Sequence, residues 1–178
     1  MNSNPKMADS NIFLEVKYDY QLTKKEIVQL AELYAEVFYE NQKLNTTGKK
    51  MIQESLSKYN IWQWFLLKEK KTKKIIGMGS FIYSFDALHN PKIPKLDVSE
   101  EFQENIGNIG VSPLHRRKGY AHLIMNEILK MHNDQILTLE IKRNSPIASV
   151  LLKFYSHLGF RVHGKTEEGL FLRLKPSS

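Results

Sequence analysis

The chain contains no cysteine. That excludes disulfides and a thiol nucleophile, and it is compatible with a reducing compartment. No apolar run approaches the length that spans a bilayer. Met1 to Asn11 are polar and lack the apolar core of a signal peptide. A cytoplasmic protein with no membrane partner is the expectation. The six histidines show neither HxxxH nor HxH spacing, so no metal site is expected. The phosphate-binding patterns GxxxxGKS/T and GxGxxG are both absent. Ser84, Ser112 and Ser145 have no nucleophile elbow around them. There is no internal repeat and no break in composition. Residues 1–10 are therefore expected to be a flexible tail, and 11–178 a single domain.

What the chain does have is an excess of cations, with a net charge of +7 over 178 residues. Nucleic acid, an anionic cofactor or plain solubility could each account for it. The run Lys68 to Lys74 lies between two apolar stretches and reads as a solvated hairpin tip. It interleaves no aromatics with its charge, so a nucleic-acid surface is disfavoured.

In chain order, Ile12, Leu14 and Val16 alternate with Phe13, Glu15 and Lys17 as a first strand. Thr23 and Glu26 then form a capping box, with Leu22 and Ile27 as a hydrophobic staple. The helix they open has Ile27, Leu30, Ala31, Tyr34, Val37 and Phe38 on its apolar face and should end near Tyr39. A second, weaker helix follows Thr46-Thr47-Gly48. Ile61 to Leu67 and Ile75 to Tyr83 read as an antiparallel strand pair. Trp62 and Trp64 fill one face, and Gly77 and Gly79 mark a bulge or a close backbone approach. Phe85 to Gln103 carries two prolines and no periodicity, which marks a substrate loop. Ile136 to Ile141 is another strand. Ser145-Pro146 should cap the last helix, whose apolar face is Ile147, Val150, Leu151, Phe154 and Leu158. Gly159 should end that helix, and Phe160 to His163 with Leu170 to Leu174 should close the chain as a hairpin.

The rest is organised around Asn105 to Met131. The stretch up to Val111 is apolar and glycine-bearing and stops at Ser112-Pro113, as a buried strand does. Ala121, Ile124, Met125, Ile128 and Leu129 recur at helical spacing. Between strand and helix lies Arg116-Arg117-Lys118-Gly119. A basic loop running into a helix N-terminus is an anion site. The first helical N–H groups lack partners, the dipole favours negative charge, and glycine lets a ligand reach the backbone.

The loop Arg116-x-x-Gly119-x-Ala121, in the context Val111-x-Pro113-x-x-Arg116-Arg117-x-Gly119-Tyr120-Ala121, resembles the Q/R-x-x-G-x-G/A pyrophosphate loop of the GNAT superfamily of acetyl-CoA-dependent N-acetyltransferases. Phe154-Tyr155-x-x-x-Gly159-Phe160 resembles that family's L-Y-x-x-x-G-F signature. The two motifs cover about Ile106 to Phe160, and the element order also matches. The resemblance implies an α/β (α+β) fold with a mixed, mostly antiparallel central sheet of about six to seven strands, flanked by about four helices.

It also implies the chemistry. An acetyl group would pass from acetyl-CoA directly to a primary amine on a small molecule or peptide, in a ternary complex and without a metal. Arg116, Arg117, Lys118, Gly119, Tyr120 and Ala121 would cradle the pyrophosphate, mainly through backbone N–H groups. The pantetheine arm would pair with the backbone of Ile109, Gly110 and Val111, where the strand splays from its neighbour at a bulge. The N–H of Val111 would then be the donor toward the thioester oxygen. Asn144 and Phe154 would add cofactor contacts. Family members often carry an asparagine where this chain has Ala148, and Asn144 lies one helical turn before it. Tyr155 would be the general acid and Glu104 the base. The family's commoner base position corresponds to Asn105, one residue off in strand phase, and Glu101 and Asp86 stay open. The acceptor is undefined, and either a monomer or a homodimer is compatible. Two other readings are a non-catalytic acyl-CoA-binding domain on the same fold and a basic nucleic-acid-binding module.

Overall fold

A computed structural model describes residues 10–39, 53, 62–82, 103–165, 167 and 169–176. Among the described residues the chain forms seven strands and three α-helices. The strands are β1 (Ile12–Tyr18), β2 (Trp62–Glu69), β3 (Ile75–Ile82), β4 (Gln103–Val111), β5 (Ile136–Lys142), β6 (Arg161–Lys165) and β7 (Gly169–Leu174). The helices are α1 (Lys24–Phe38), α2 (Tyr120–Met131) and α3 (Ala148–His157). The expected second helix lies outside the described residues, apart from Gln53. So does the proline-bearing loop, apart from Gln103, which opens β4.

The chain forms two compact units. One is drawn from Met1–Ser80 and Asn108–Lys130, the other from Phe81–Gly107 and Met131–Ser178. β4 gives its last residues to the first unit and its first residues to the second.

In the first unit the strand order is β1-β2-β3-β4. β1 and β2 pair antiparallel, from Ile12 opposite Glu69 to Tyr18 opposite Gln63. α1 starts where the sequence signature places it. The Thr23 hydroxyl accepts from the Glu26 N–H at 3.2 Å, and the Glu26 carboxylate accepts from the Thr23 N–H at 2.8 Å. The helix lays Leu30 and Leu33 against Trp64, Leu66, Ile75 and Met78, with Tyr34 and Val37 at the margin. Leu33 joins this core where Phe38 was expected. Phe38 is exposed and rests against the Tyr34 ring at 4.7 Å. Trp64 is buried, and its indole N–H donates to the buried Asp19 carboxylate at 2.5 Å.

α2 covers the opposite face of β3. Gly77 and Gly79 make the close approach that their spacing predicts. A Cβ on Gly79 would lie 2.6 Å from Ile124 Cγ2 and 2.9 Å from Ile109 Cδ1. Glycine is the side chain that lets Ile124 and Ile128 of α2 bury completely.

The lysine run is split by strand phase. Lys70, Lys71, Lys73 and Lys74 are exposed in the hairpin turn. Lys68, expected at the solvated tip, is a buried residue of β2. Its ammonium donates to Glu26 at 2.5 Å and to Glu15. Lys17 also donates to Glu26, at 2.7 Å. Opposite charges make this burial tolerable.

In the second unit the order is β4-β5-β7-β6. β4 runs parallel to β5, with Gln103 level with Ile136 and Asn105 level with Thr138. β5 and β7 are antiparallel, as are β7 and β6, with a register shift between Val162 and Gly164. α3 differs from expectation in two ways. It begins at Ala148, because Ser145 and Pro146 are used in a turn: the Ser145 N–H donates to the Lys142 carbonyl and the Ala148 N–H to the Ser145 carbonyl. Its inward face is also rotated. Ile147 and Val150 are exposed, Phe154 is half-buried, and Tyr155 is the buried residue. The helix end decides this rotation. Gly159 takes φ +95, and the N–H of Phe160 returns to the Tyr155 carbonyl at 3.1 Å. That closure sets the fully buried Phe160 edge-on to Tyr155 at 5.9 Å. The aromatic pair, not the aliphatic stripe, becomes the anchor.

Candidate active site

The expected cofactor-binding residues of the first unit form one continuous strand, loop and helix start. β4 re-engages β3 at its end, where the Ser112 N–H donates to the Ile76 carbonyl at 2.9 Å. N–H groups alternate along a strand. Those of Val111 and Ile109 therefore point to the edge of β4 away from β3. Their side chains and that of Gly110 are packing elements. Val111 is buried, and a Cβ on Gly110 would lie 2.8 Å from Val37 of α1. Only their backbones are available to a ligand.

A short 3-10 turn, Pro113–His115, leads into the loop. Arg116 Nε donates to the Val111 carbonyl at 3.3 Å, folding the side chain back over the strand end. Arg117 holds the left-handed region at φ +61, and Gly119 holds it at φ +79. Arg116, Arg117, Lys118 and Gly119 are all exposed. The Gly119 carbonyl accepts the first helical bond, from the Leu123 N–H at 3.0 Å. The positive end of the α2 dipole thus opens beside three cationic side chains. Among the described residues, a Cβ on Gly119 would meet nothing within 4 Å. Backbone conformation favours glycine there, and no described side chain fills the space in front of it. The Tyr120 side chain is buried, so its contribution is confined to the backbone, while Ala121 is half-buried at the helix start. This cradle fits a diphosphate.

The second unit holds the remaining candidates. Asn144 is exposed in the turn after β5. The Tyr155 ring sits between Phe154 at 5.1 Å and Phe160 at 5.9 Å, both edge-on. Its hydroxyl makes no hydrogen bond among the described residues. Burial pushes the phenol up to about 12. Glu104 is level with Leu137 of β5, and its side chain lies outside the described residues, as do Glu101 and Asp86. Among the described residues, no group of three or more His, Cys, Asp or Glu could hold a metal ion. No helix among them is long and apolar enough to cross a membrane.

One feature of the site was not foreseen. Asn108, inside β4, takes φ +52, and its side-chain amide donates to the Ser80 hydroxyl of β3 at 3.0 Å. The signal for it was an asparagine beside Gly107. Asparagine is one of the few residues besides glycine that tolerate the left-handed region.

Comparison with known proteins bears on the fold and the family. The family model of the acetyltransferase (GNAT) domain matches residues 60–162, more than half of the chain. No curated protein matches. Many solved structures do. An acyl-CoA N-acyltransferase from Pseudomonas aeruginosa is 18% identical, with a TM-score of 0.64 over 91% of this chain and 98% of that one. A histone acetyltransferase HPA2 and related acetyltransferase from Corynebacterium glutamicum is 13% identical, with a TM-score of 0.68 over 93% and 97%. An N-acetyltransferase from Campylobacter jejuni is 17% identical, with a TM-score of 0.56 over 92% and 99%. At these identities the structural likeness speaks for the fold, and the family match carries the assignment: the chain belongs to the GNAT acetyltransferase family.

Proposed function

We propose that this protein is a cytoplasmic N-acetyltransferase, formed by residues 11–178 as one domain, that moves the acetyl group of acetyl-CoA directly onto a primary amine of a small molecule or peptide. The observation that carries this reading is bare, left-handed Gly119 at the start of α2, with no described atom within 4 Å of its Cβ position and Arg116, Arg117 and Lys118 beside it. Backbone N–H groups from Arg116 to Ala121 hold the pyrophosphate, and the three cations add charge. The backbone from Ile109 to Val111 pairs with the pantetheine arm, and the Val111 N–H polarises the thioester carbonyl. Asn144 and Phe154 add contacts to the cofactor. Tyr155 gives its proton to the departing thiolate, and Glu104 takes one from the amine. Acetyl-CoA supplies the activated acyl group, and no metal is needed for any of these roles.

Incubation with radiolabelled acetyl-CoA and a panel of amines tests this. The panel should contain amino acids, aminoglycosides, polyamines and lysine peptides. The expected result is label on the amine of at least one class, with one CoA released per acetyl moved. Binding of acetyl-CoA without transfer to any class would instead make the chain a non-catalytic acyl-CoA-binding domain.

A further inference from the structure

We infer that Asn108 is a positioning residue. Its left-handed backbone, tied through its side chain to Ser80, fixes the aim of the N–H groups that follow it in β4. The inference rests on the function proposed above and adds to it a residue outside the motifs that identify the family.

Four observations place the constraint. Asn108 is the described non-glycine residue of β4 with positive φ, at +52. A left-handed residue inside a strand bends it and leaves the ladder locally out of step. Unrelieved, that conformation costs about 1–2 kcal/mol for most side chains and less for asparagine. The Nδ2 donor then fastens the bend to Ser80 Oγ at 3.0 Å, and Ser80 is fully buried in β3. The next residues are gripped from both faces. A Cβ on Gly79 would reach Ile109 Cδ1 at 2.9 Å, so Ile109 is keyed over a bare backbone. Gly110 lies under Val37 of α1 and Met78 of β3. The strand then rejoins β3 through the Ser112 N–H.

Between the Asn108 clamp and the Ser112 bond, the β4 backbone has one path. Along it the N–H groups of Ile109 and Val111 point away from β3. A bend serving only to end strand pairing would need no side-chain anchor on a buried hydroxyl. The anchor makes sense if the direction of the following N–H groups matters, because an error near 1 Å in such a donor can cost about a hundredfold in rate.

The test uses acetyl-CoA labelled with carbon-13 at the carbonyl, bound to the full chain. In the wild type the carbonyl resonance should move downfield on binding, as a polarised carbonyl does. In N108A the protein should still bind, within about threefold in Kd, but most of the displacement should vanish. On whichever amine the panel identifies, kcat should fall about tenfold to a hundredfold. N108G keeps the backbone conformation and removes only the anchor, so it guards against a variant that fails to fold. S80A removes the anchor from the other side. Both should lose part of the displacement. Wild-type carbonyl shifts and kcat in N108A, or in N108G if the alanine variant does not fold, overturn the inference alone. An equal loss of affinity for acetyl-CoA and free CoA, with the carbonyl shift retained, also overturns it, since that is a structural bulge. A wild type that fails to bind acetyl-CoA overturns the proposed function and this inference together.

Discussion

Replacing Tyr155 by phenylalanine should lower kcat by about a hundredfold or more, with acetyl-CoA affinity and folding little changed. The ring is held edge-on between Phe154 and Phe160, and phenylalanine fills the same space. The hydroxyl has no partner among the described residues, so its loss breaks no hydrogen bond among them. Burial raises the phenol to about 12. Tyr155 is thus fully protonated at every pH where the enzyme is assayed, as a proton donor to a thiolate must be. Two consequences follow. The wild-type kcat should show no alkaline fall attributable to Tyr155 below about pH 11. The Tyr155→Phe variant should lose the same factor at every pH. Near-normal turnover in that variant would show that water, or another residue, protonates the thiolate.

Replacing Glu26 by alanine should destabilise the fold by about 3–5 kcal/mol. Glu26 is the third residue of α1 and accepts four hydrogen bonds. They come from the Thr23 N–H at 2.8 Å, the Thr23 hydroxyl at 2.9 Å, Lys17 at 2.7 Å and Lys68 at 2.5 Å. Alanine removes the capping box and leaves the buried Lys68 ammonium with Glu15 alone. Burial, the largest single influence on the Glu26 carboxyl, pushes it up. The bonds from Lys17, Lys68 and Thr23 together outweigh burial and take it down to about 2. A carboxylate lowered on folding stabilises above its unfolded value, near 4.5, and loses that contribution as pH falls toward 2. Part of the stability at neutral pH therefore resides in this carboxylate. Urea denaturation of wild type and Glu26→Gln at pH 7, 4 and 3 reads this directly. Wild-type stability should fall across that range by clearly more than that of the glutamine variant. Parallel curves would mean that Glu26 is no better solvated by its partners in the fold than by water.

What was legible in the sequence follows the range of the interactions involved. The start of α1 is written in four consecutive residues, Thr23 to Glu26, and it forms as read. Gly77 and Gly79 announce a bulge or a close approach, and the close approach is what forms, against Ile124 and Ile109. The glycine turn into α2 reads well for the same reason, since Gly119 takes the left-handed region and the helix opens at Tyr120, beside the basic residues Arg116 to Lys118.

Errors arise where distant residues decide. The apolar stripe of α3 contains Val150 and Phe154, yet Tyr155 is the buried residue, because the turn at Gly159 swings Phe160 against it. Lys68 sits in a run of lysines, and no local pattern foretells that Glu15 and Glu26 neutralise it inside the unit. Ser145-Pro146 has the composition of a helix cap, but the turn after β5 uses it first. The Asn108 bend is the most instructive case. Its geometry depends on a serine 28 positions earlier on the adjacent strand, and periodicity counts only which face a residue is on.

Calorimetric and thermal titration of acetyl-CoA against wild type and Gly119→Glu is the most direct test of the central claim. At a hundredfold excess over Kd, acetyl-CoA should stabilise the wild type by about 2.7 kcal/mol, with free CoA acting similarly and NAD or ATP much less. The glutamate variant meets no atom of the described residues within 4 Å at its Cβ, so among them the fold bears only the penalty of a side chain at φ +79, about 1–2 kcal/mol. It should fold and show no stabilisation, because its carboxylate occupies the place of the phosphates. A wild type indifferent to millimolar acetyl-CoA, or a folded Gly119→Glu that binds it normally, would contradict the account.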